Sequence, residues 1–553
     1  MNASTPDHAA AALNQPPEFA PRDLWASDAV LREAIEREGA GAFTDRLAAY
    51  GGLAGSELYR LGFDANRDRP RLRTHDRFGQ RIDRVEFHPD YHTLMRHAIE
   101  GGVTSLSWSD ACPGAHVARA ALSYLHHQAE AGTSCPLTMS HAAVPALRRE
   151  PALAEWAGKA VAGVYEPGDV PIEGKRGVTL GMGMTEKQGG SDVRANLTRA
   201  TPLVAGGEYA LSGHKWFFSA PMSDGFLVLA QAPGGLSCFL LPRWRPDGTR
   251  NALRLVRLKD KLGDWSNASS EVEFDDAWAY RIGGEGRGVP VIIEMVMLTR
   301  LDCMLGSSAL MRMALAQAIH HARHRSTFGK RLVEHGLMRN VLADLALEAE
   351  AALSLSLRVA RAVDAAPRDV GEAAFARIAT AVGKYWICRR APAFVSEALE
   401  CLGGNGYVEE SMLPRLYRQA PLNSIWEGSG NIQCLDVLRA LGREPGSRNA
   451  LLGELEATAG LEELLDAALS GLRPQLADPG KVPEPCARRL VERLAMALQA
   501  SVLLRAGSLA AGAYCRTRLG GDHGLAFGTL PAGIAFDACI DRALPQAGAG
   551  PGA

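Results

Sequence analysis

Apolar residues follow two different periods along this chain, and the change between them divides it. From Asp28, the residues Val30, Leu31, Ala34 and Ile35 fall on the i, i+1, i+4, i+5 stripe of an amphipathic helix. Helical segments of this kind recur to about Gly163, clearest over 117–129 and 151–162. At Gly177 the texture changes to short β-rich pieces at 178–185, 209–219, 225–230 and 236–241. Clusters of Gly, Pro, Asn and Asp separate them, which predicts a small antiparallel barrel or sandwich. It ends near Phe274 and the glycine-rich run 283–288. From Val289 the helical period returns over about 289–323, 337–365, 369–401 and 431–441, as expected of a helix bundle with short connections. Residues 442–447 read as a linker, and three or four more helical stretches follow to about Ala543.

The expected class is therefore mostly α with a central β-barrel domain. In order, it comprises a flexible tail (1–21), an N-terminal helical domain (22–176), a β-barrel (177–288), a helical bundle (289–445), a C-terminal helical block (446–545) and a tail (546–553). A chain of 553 residues exceeds one hydrophobic core, so several domains are anticipated. With 60 Lys+Arg against 62 Asp+Glu, overall charge gives no case for nucleic acid or an anionic membrane. The ten cysteines show no C-x-x-C pair and no Cys/His cluster at zinc spacing, so no metal is expected. The N-terminus lacks an apolar signal core, and no window reaches the ~18 uninterrupted apolar residues of a membrane span. These features point to a soluble, cytoplasmic protein with reduced thiols.

Candidate chemistry concentrates at Asn423–Gln433. There Glu427 stands between Trp426 and the turn Gly428-Ser429-Gly430, just before an apolar helical pattern that begins at Ile432. An acid held against an indole has its pKa raised by desolvation, which suits a base aimed at a weakly acidic C–H bond. The same stretch also reads as a helix start, capped by Ser429 or Asn431, with Glu427 a solvated loop acid.

Four further motifs bear on that choice. Met184-Thr185-Glu186-Lys187-Gln188-Gly189-Gly190-Ser191-Asp192 offers a hydroxyl and a glycine loop whose N–H groups can approach an electron-rich ring edge. Gly213-His214-Lys215-Trp216-Phe217-Phe218-Ser219 is an aromatic-rich strand. Arg325-Ser326-Thr327-Phe328-Gly329 carries a guanidinium suited to phosphate. Cys401-Leu402-Gly403-Gly404-Asn405-Gly406-Tyr407 is a tight helix-to-helix turn. In this order, and with the helical, β, helical texture, these motifs resemble the acyl-CoA dehydrogenase flavoprotein family over roughly residues 60–440. Within that family the chain looks most like the branch associated with the bacterial adaptive response to DNA alkylation, nearly end to end.

The resemblance implies FAD. It places Met184, Thr185, Gly190 and Ser191 at the flavin's pyrimidine edge, and Phe217, Phe218 and Ser219 against its face or N5. Arg325 and Phe328 would meet the pyrophosphate across a subunit interface, implying a homotetramer. Trp426, Gly428, Ser429 and Asn431 would surround the cofactor, and Glu427 would take the α-proton of an acyl-CoA thioester. One departure is the sequence Glu334-His335-Gly336, where the family usually has a glutamine soon after Phe-Gly. The resemblance also implies binding of double-stranded DNA through the C-terminal block. Charge alone does not demand this, since eleven cations face twelve acids after Ala440. Arg488, Arg489 and Arg493 nevertheless cluster, and Arg516 and Arg518 cap a later segment, as phosphate contacts would require. The expected function is thus a DNA-protecting flavoprotein with weak activity on short branched acyl-CoA such as isovaleryl-CoA. The alternative is a genuine acyl-CoA dehydrogenase whose C-terminal block serves only assembly.

Overall fold

A computed structural model describes residues 14–203 and 206–544. Most of the two expected tails, 1–13 and 545–553, lies outside the described residues. The chain separates into two compact units, neither continuous in sequence. One comprises the described residues of Met1–Ser56, with His116–Gln128 and the described residues of Cys303–Ala553. The other comprises Glu57–Ala115 and Ala129–Asp302.

The second unit contains the barrel. Its strands are β1 (Arg71–His75), β2 (Arg81–Glu86), β3 (Leu180–Gly183), β4 (Arg199–Pro202), β5 (Glu208–Ser219), β6 (Gly225–Ala232), β7 (Gly235–Pro242), β8 (Leu253–Leu258) and β9 (Ser269–Ile282). The ring closes because β7 pairs with both β6 and β9, while β4 bridges β5 to β6. The expectation of a purely antiparallel sheet is corrected, because β3 and β4 each run parallel to β6. The β-hairpin β1–β2 is a second correction, since this stretch was expected to be helical. Its inward position 83 is an acid where an apolar residue would have shown the alternation. Asp83 is tolerated because Arg81 Nε at 2.8 Å and Leu255 N at 3.2 Å donate to it. Val85, two residues on, joins the barrel core with Phe218, Phe226, Phe239 and Phe274.

The first unit is helical. Gly288–His324 enters it from the other unit, and Gly336–Ala365, Val370–Glu400 and Gly430–Arg443 follow close to the expected spans. The expected linker at 442–447 is absent. Glu444 alone separates Gly430–Arg443 from Pro445–Glu456, where Pro445 sits at the first helical position with its φ already set. The helices Pro445–Glu456, Ala487–Arg505 and Phe536–Ala543 then pack on Gly336–Ala365 and Val370–Glu400.

Inside the barrel unit, one ion pair fastens the loop after β3 to β5. Glu186 and Lys215 meet at 2.7 Å with both side chains fully buried. The carboxylate also accepts from Leu197 N at 2.7 Å and Gln188 Nε2 at 2.7 Å, and Lys215 donates to Leu229 O at 2.8 Å. Burial pushes the Glu186 carboxyl up, but the Lys215 ammonium and the N–H donors outweigh it and hold the carboxyl at about 2. Removing one partner of such a pair leaves a buried charge and costs about 3–5 kcal/mol. Glu186→Gln is therefore expected to lower the unfolding free energy from urea titration by an amount of that order, moving the midpoint down, with Lys215→Met added to the same chain recovering part of it. Because the folded pKa lies below the unfolded one, this stabilisation is complete above the ordinary carboxylate range and fades as pH falls from about 4.5 towards 2. Equal midpoints for wild type and Glu186→Gln at neutral pH would contradict the assignment.

Candidate functional site

Two groups of candidate residues lie in the two units. In the helical unit, Leu422–Ser424 makes a single 3-10 turn that delivers Trp426 and Glu427 ahead of the helix Gly430–Arg443. Glu427 has φ +58°, a left-handed conformation in which a side-chain-bearing residue is uncommon, and Gly428 follows at +93°. Such backbone is retained where the surroundings over-determine it, and here they do.

Lys384, on Val370–Glu400, is 1 % exposed. Its ammonium donates to Trp426 O at 2.7 Å and Gly428 O at 2.5 Å, straddling the glutamate. Gln433 donates to Glu427 O at 3.1 Å and Gly428 O at 2.9 Å. The indole is fixed too: Trp426 Nε1 donates to Asn423 Oδ1 at 3.1 Å, and Asn423 Nδ2 to Ser307 Oγ at 3.2 Å. Glu427 itself is partly buried. The arrangement fixes the backbone from which the Glu427 carboxylate projects, next in sequence to an anchored indole, as the support of a general base requires. Ser429 occupies the N-cap position of the following helix, but its hydroxyl does not close the cap. Asn431 is engaged from the C-terminal block, its Oδ1 accepting from Arg488 Nε at 2.8 Å.

In the barrel unit, Met184, Thr185, Gly190 and Ser191 lie on the loop that Glu186 anchors. Thr185 O accepts from Trp216 N at 2.8 Å, bringing the loop against β5. Gly190 packs on Thr185 so closely that a Cβ there would lie 2.3 Å from the threonine hydroxyl. On β5, Phe217 is 53 % exposed and its ring lies 4.7 Å from Lys259 Nζ. Ser219 Oγ is 2.9 Å from Ser269 Oγ. Phe218 departs from expectation. It is fully buried, its ring 4.2 Å from that of Phe226, and a Cβ on Gly183 would meet it at 2.5 Å. Phe218 is barrel core, and its neighbours Phe217 and Ser219 are the more exposed side chains.

The remaining candidates are scattered. Arg325 donates to Asn14 O at 2.5 Å at the foot of a short hairpin, and Phe328 at its tip is 99 % exposed with φ +51°. Arg488 and Arg489 are exposed and Arg493 is half-buried on Ala487–Arg505. Arg516 is paired with Asp522 at 2.8 Å. Arg518 is corrected: it is buried against Asp344 and Glu348, which consume its charge inside the bundle, so it cannot present a phosphate contact. Lys384, Gln433 and Lys215 were missed because an isolated polar residue in an apolar helix or strand gives no sequence signal of what it holds. Lys384 lies on its helix among the apolar Ile378, Val382 and Ile387, which was its one visible oddity.

Residues 14–167 match the adaptive response protein AidB N-terminal domain. Residues 181–277 match the acyl-CoA dehydrogenase middle domain and 286–442 the acyl-CoA dehydrogenase C-terminal domain. The chain is 48 % identical over 512 residues to the putative acyl-CoA dehydrogenase AidB of Escherichia coli K12, covering 92 % of this chain and 94 % of that one. Among solved structures it is similar to Caenorhabditis elegans ACDH-11 in complex with C11-CoA, with TM-score 0.81, 26 % identity, and 96 % and 92 % of the two chains covered. It also shares its fold with an acyl-CoA dehydrogenase from Bacillus anthracis complexed with FAD, at TM-score 0.63, 17 % identity and 82 % of each chain covered. The chain belongs to the acyl-CoA dehydrogenase family of FAD-dependent oxidoreductases and is AidB-like along nearly its whole length.

Proposed function

We propose that this protein is a flavoprotein in which Glu427 abstracts the α-proton of an acyl-CoA thioester. The carrying observation is Glu427 itself, held at positive φ by Lys384 and Gln433 and set beside a fixed indole. A base that reaches a C–H bond must be held in place, and the clamp supplies a fixed backbone for it. FAD, when bound, supplies a hydride acceptor for the β-carbon. The residues fit that cofactor in the barrel unit. Thr185 carries a hydroxyl on this loop, Gly190 lets the loop turn tightly against Thr185, Ser191 follows it, and Phe217 offers an exposed ring with Ser219 next but one. Met184 flanks the same loop. In the helical unit Trp426, Gly428, Ser429 and Asn431 remain the proposed cofactor neighbours, with Asn431 oriented by Arg488.

Isovaleryl-CoA is the proposed test substrate, and the C11-CoA bound by ACDH-11 makes a longer chain the natural comparison. Self-association as a homotetramer fits the exposed apolar side chains at the motifs assigned to a subunit interface. Phe328 and Tyr407, the latter 80 % exposed, are both found there. Protection of double-stranded DNA during alkylation stress is the second function we infer, resting on similarity to AidB. Exposed Arg488, Arg489 and Arg516 are its remaining candidate contacts, Arg516 being paired with Asp522, while Arg493 is half-buried. Among the described residues no helix is long and apolar enough to cross a membrane, and the cytoplasm is the proposed location.

Glu427→Gln is expected to keep the flavin spectrum while isovaleryl-CoA or C11-CoA no longer bleaches it, a rate loss of at least about 10²-fold. Lys384→Met should lower kcat about 10- to 100-fold with little change in KM, because the glutamate loses its direction while thioester contacts survive. If Lys384→Met matches wild type in kcat, the clamp does not position the base. Duplex DNA should bind with a steep loss of affinity between 50 and 200 mM salt (on the order of 10³-fold for six phosphate contacts), and Arg489→Glu should flatten that dependence. No binding at low salt would remove the DNA reading.

A further inference from the structure

The helical unit holds a pocket of about 180 Å³, partly open to solvent, that shares no lining residue with the Glu427 loop. Its apolar wall is made by Leu315, Leu347 and Leu353 of the bundle and closed by Ala513, Ile534 and Cys539 of the C-terminal block. An engineered apolar cavity of about 150 Å³ accommodates benzene, so this one has room for a slightly larger ring.

One end is polar. Arg312, 6 % exposed, lines the cavity there. Its Nε donates to Asp28 Oδ2 at 3.2 Å and its Nη2 to Ser27 O at 2.9 Å, while Tyr124 donates to the same Asp28 oxygen at 2.9 Å. The third nitrogen, Nη1, is buried without an acceptor among the described residues. Buried donors are rarely left so, and a charged one is the most costly to orphan. The opposite lining charges are already matched, because Arg542 pairs with Glu350 at 3.0 Å and with Glu33 at 2.6 Å. A charged ligand would therefore enter without a counterion, which favours a neutral one. The half-buried Cys539 thiol is pushed up to about 11 by burial, so it serves as wall rather than nucleophile.

We propose that this cavity is a binding site for a small, uncharged, mainly apolar molecule whose single acceptor, a carbonyl oxygen, takes the Arg312 Nη1 hydrogen. The site depends on the C-terminal block, which supplies one wall, and does not depend on the dehydrogenase reading. Cyclohexanone is a probe of suitable size and chemistry. Titration calorimetry of the full chain should show saturable one-to-one binding of cyclohexanone, with cyclohexanecarboxylate bound at least tenfold more weakly. Ala346→Leu and Ala513→Leu fill the cavity from the bundle and C-terminal sides, and each should weaken cyclohexanone binding at least tenfold. Ala513 is half-buried, so its variant keeps the test sound if Ala346→Leu folds poorly. The carbonyl stretch of bound cyclohexanone should lie below its value in hexane, as a hydrogen bond to a guanidinium requires. Absence of saturable binding, which would mean that water satisfies Nη1, overturns the proposal. So does undiminished binding by both filled variants, or tighter binding of the carboxylate.

Discussion

A buried ammonium must find oxygen, and Lys384 finds it in the loop that carries Glu427. The constraint works in both directions. The lysine is tolerated inside the bundle because Trp426 and Gly428 turn their carbonyls towards it, and the loop keeps a left-handed glutamate because those carbonyls have nowhere better to point. Gln433 adds two more bonds from the helix that follows. The backbone of the candidate base is thus fixed by Lys384 and Gln433, from two different helices. The barrel unit repeats the device. There Lys215 and Glu186 are hidden together, and their pairing holds the loop that carries the candidate flavin contacts against β5.

Buried charge also shapes the C-terminal block. Arg358 bridges Glu372 of the bundle and Glu454 of the block, and Arg505 meets the same Glu454 at 2.7 Å. Arg518 reaches Asp344 and Glu348. Pairs of this kind add little net stability but are severe on any alternative arrangement that separates them, so they fix register. Each arginine spent this way is removed from any nucleic-acid surface. Arg518 shows that a cation count over the block overstates what is available, and the exposed remainder on Ala487–Arg505 is small. Arg488, bonded to Asn431, ties that same helix to the first turn of the helix that follows the Glu427 loop.

Much of this was legible in the sequence, and what was not has physical causes. The long bundle helices are rich in apolar residues over their whole length, so their spans emerged directly. The motif around Glu427 was visible as residue types, but its left-handed backbone depends on a lysine 43 positions earlier in the chain, which no local pattern reveals. The β1–β2 hairpin was hidden because Asp83 breaks the alternation that marks a strand. Phe218 was misplaced because three successive aromatics do not say which faces inward. The register irregularity between Lys215 and Phe218 decides it. Pro445 reads as a linker residue and as a first helical residue equally well, and only the packing of the next helix chooses.

Proton abstraction by Glu427 can be read without any electron acceptor or product. Incubating the FAD-loaded protein with isovaleryl-CoA in D2O and following the α-carbon protons by NMR reports removal of the α-proton alone. Wild type should exchange that position, and Glu427→Gln, with its flavin spectrum intact, should not. Exchange at equal rates in the two proteins, or none in wild type with either isovaleryl-CoA or C11-CoA, would contradict the assignment of Glu427 as the base.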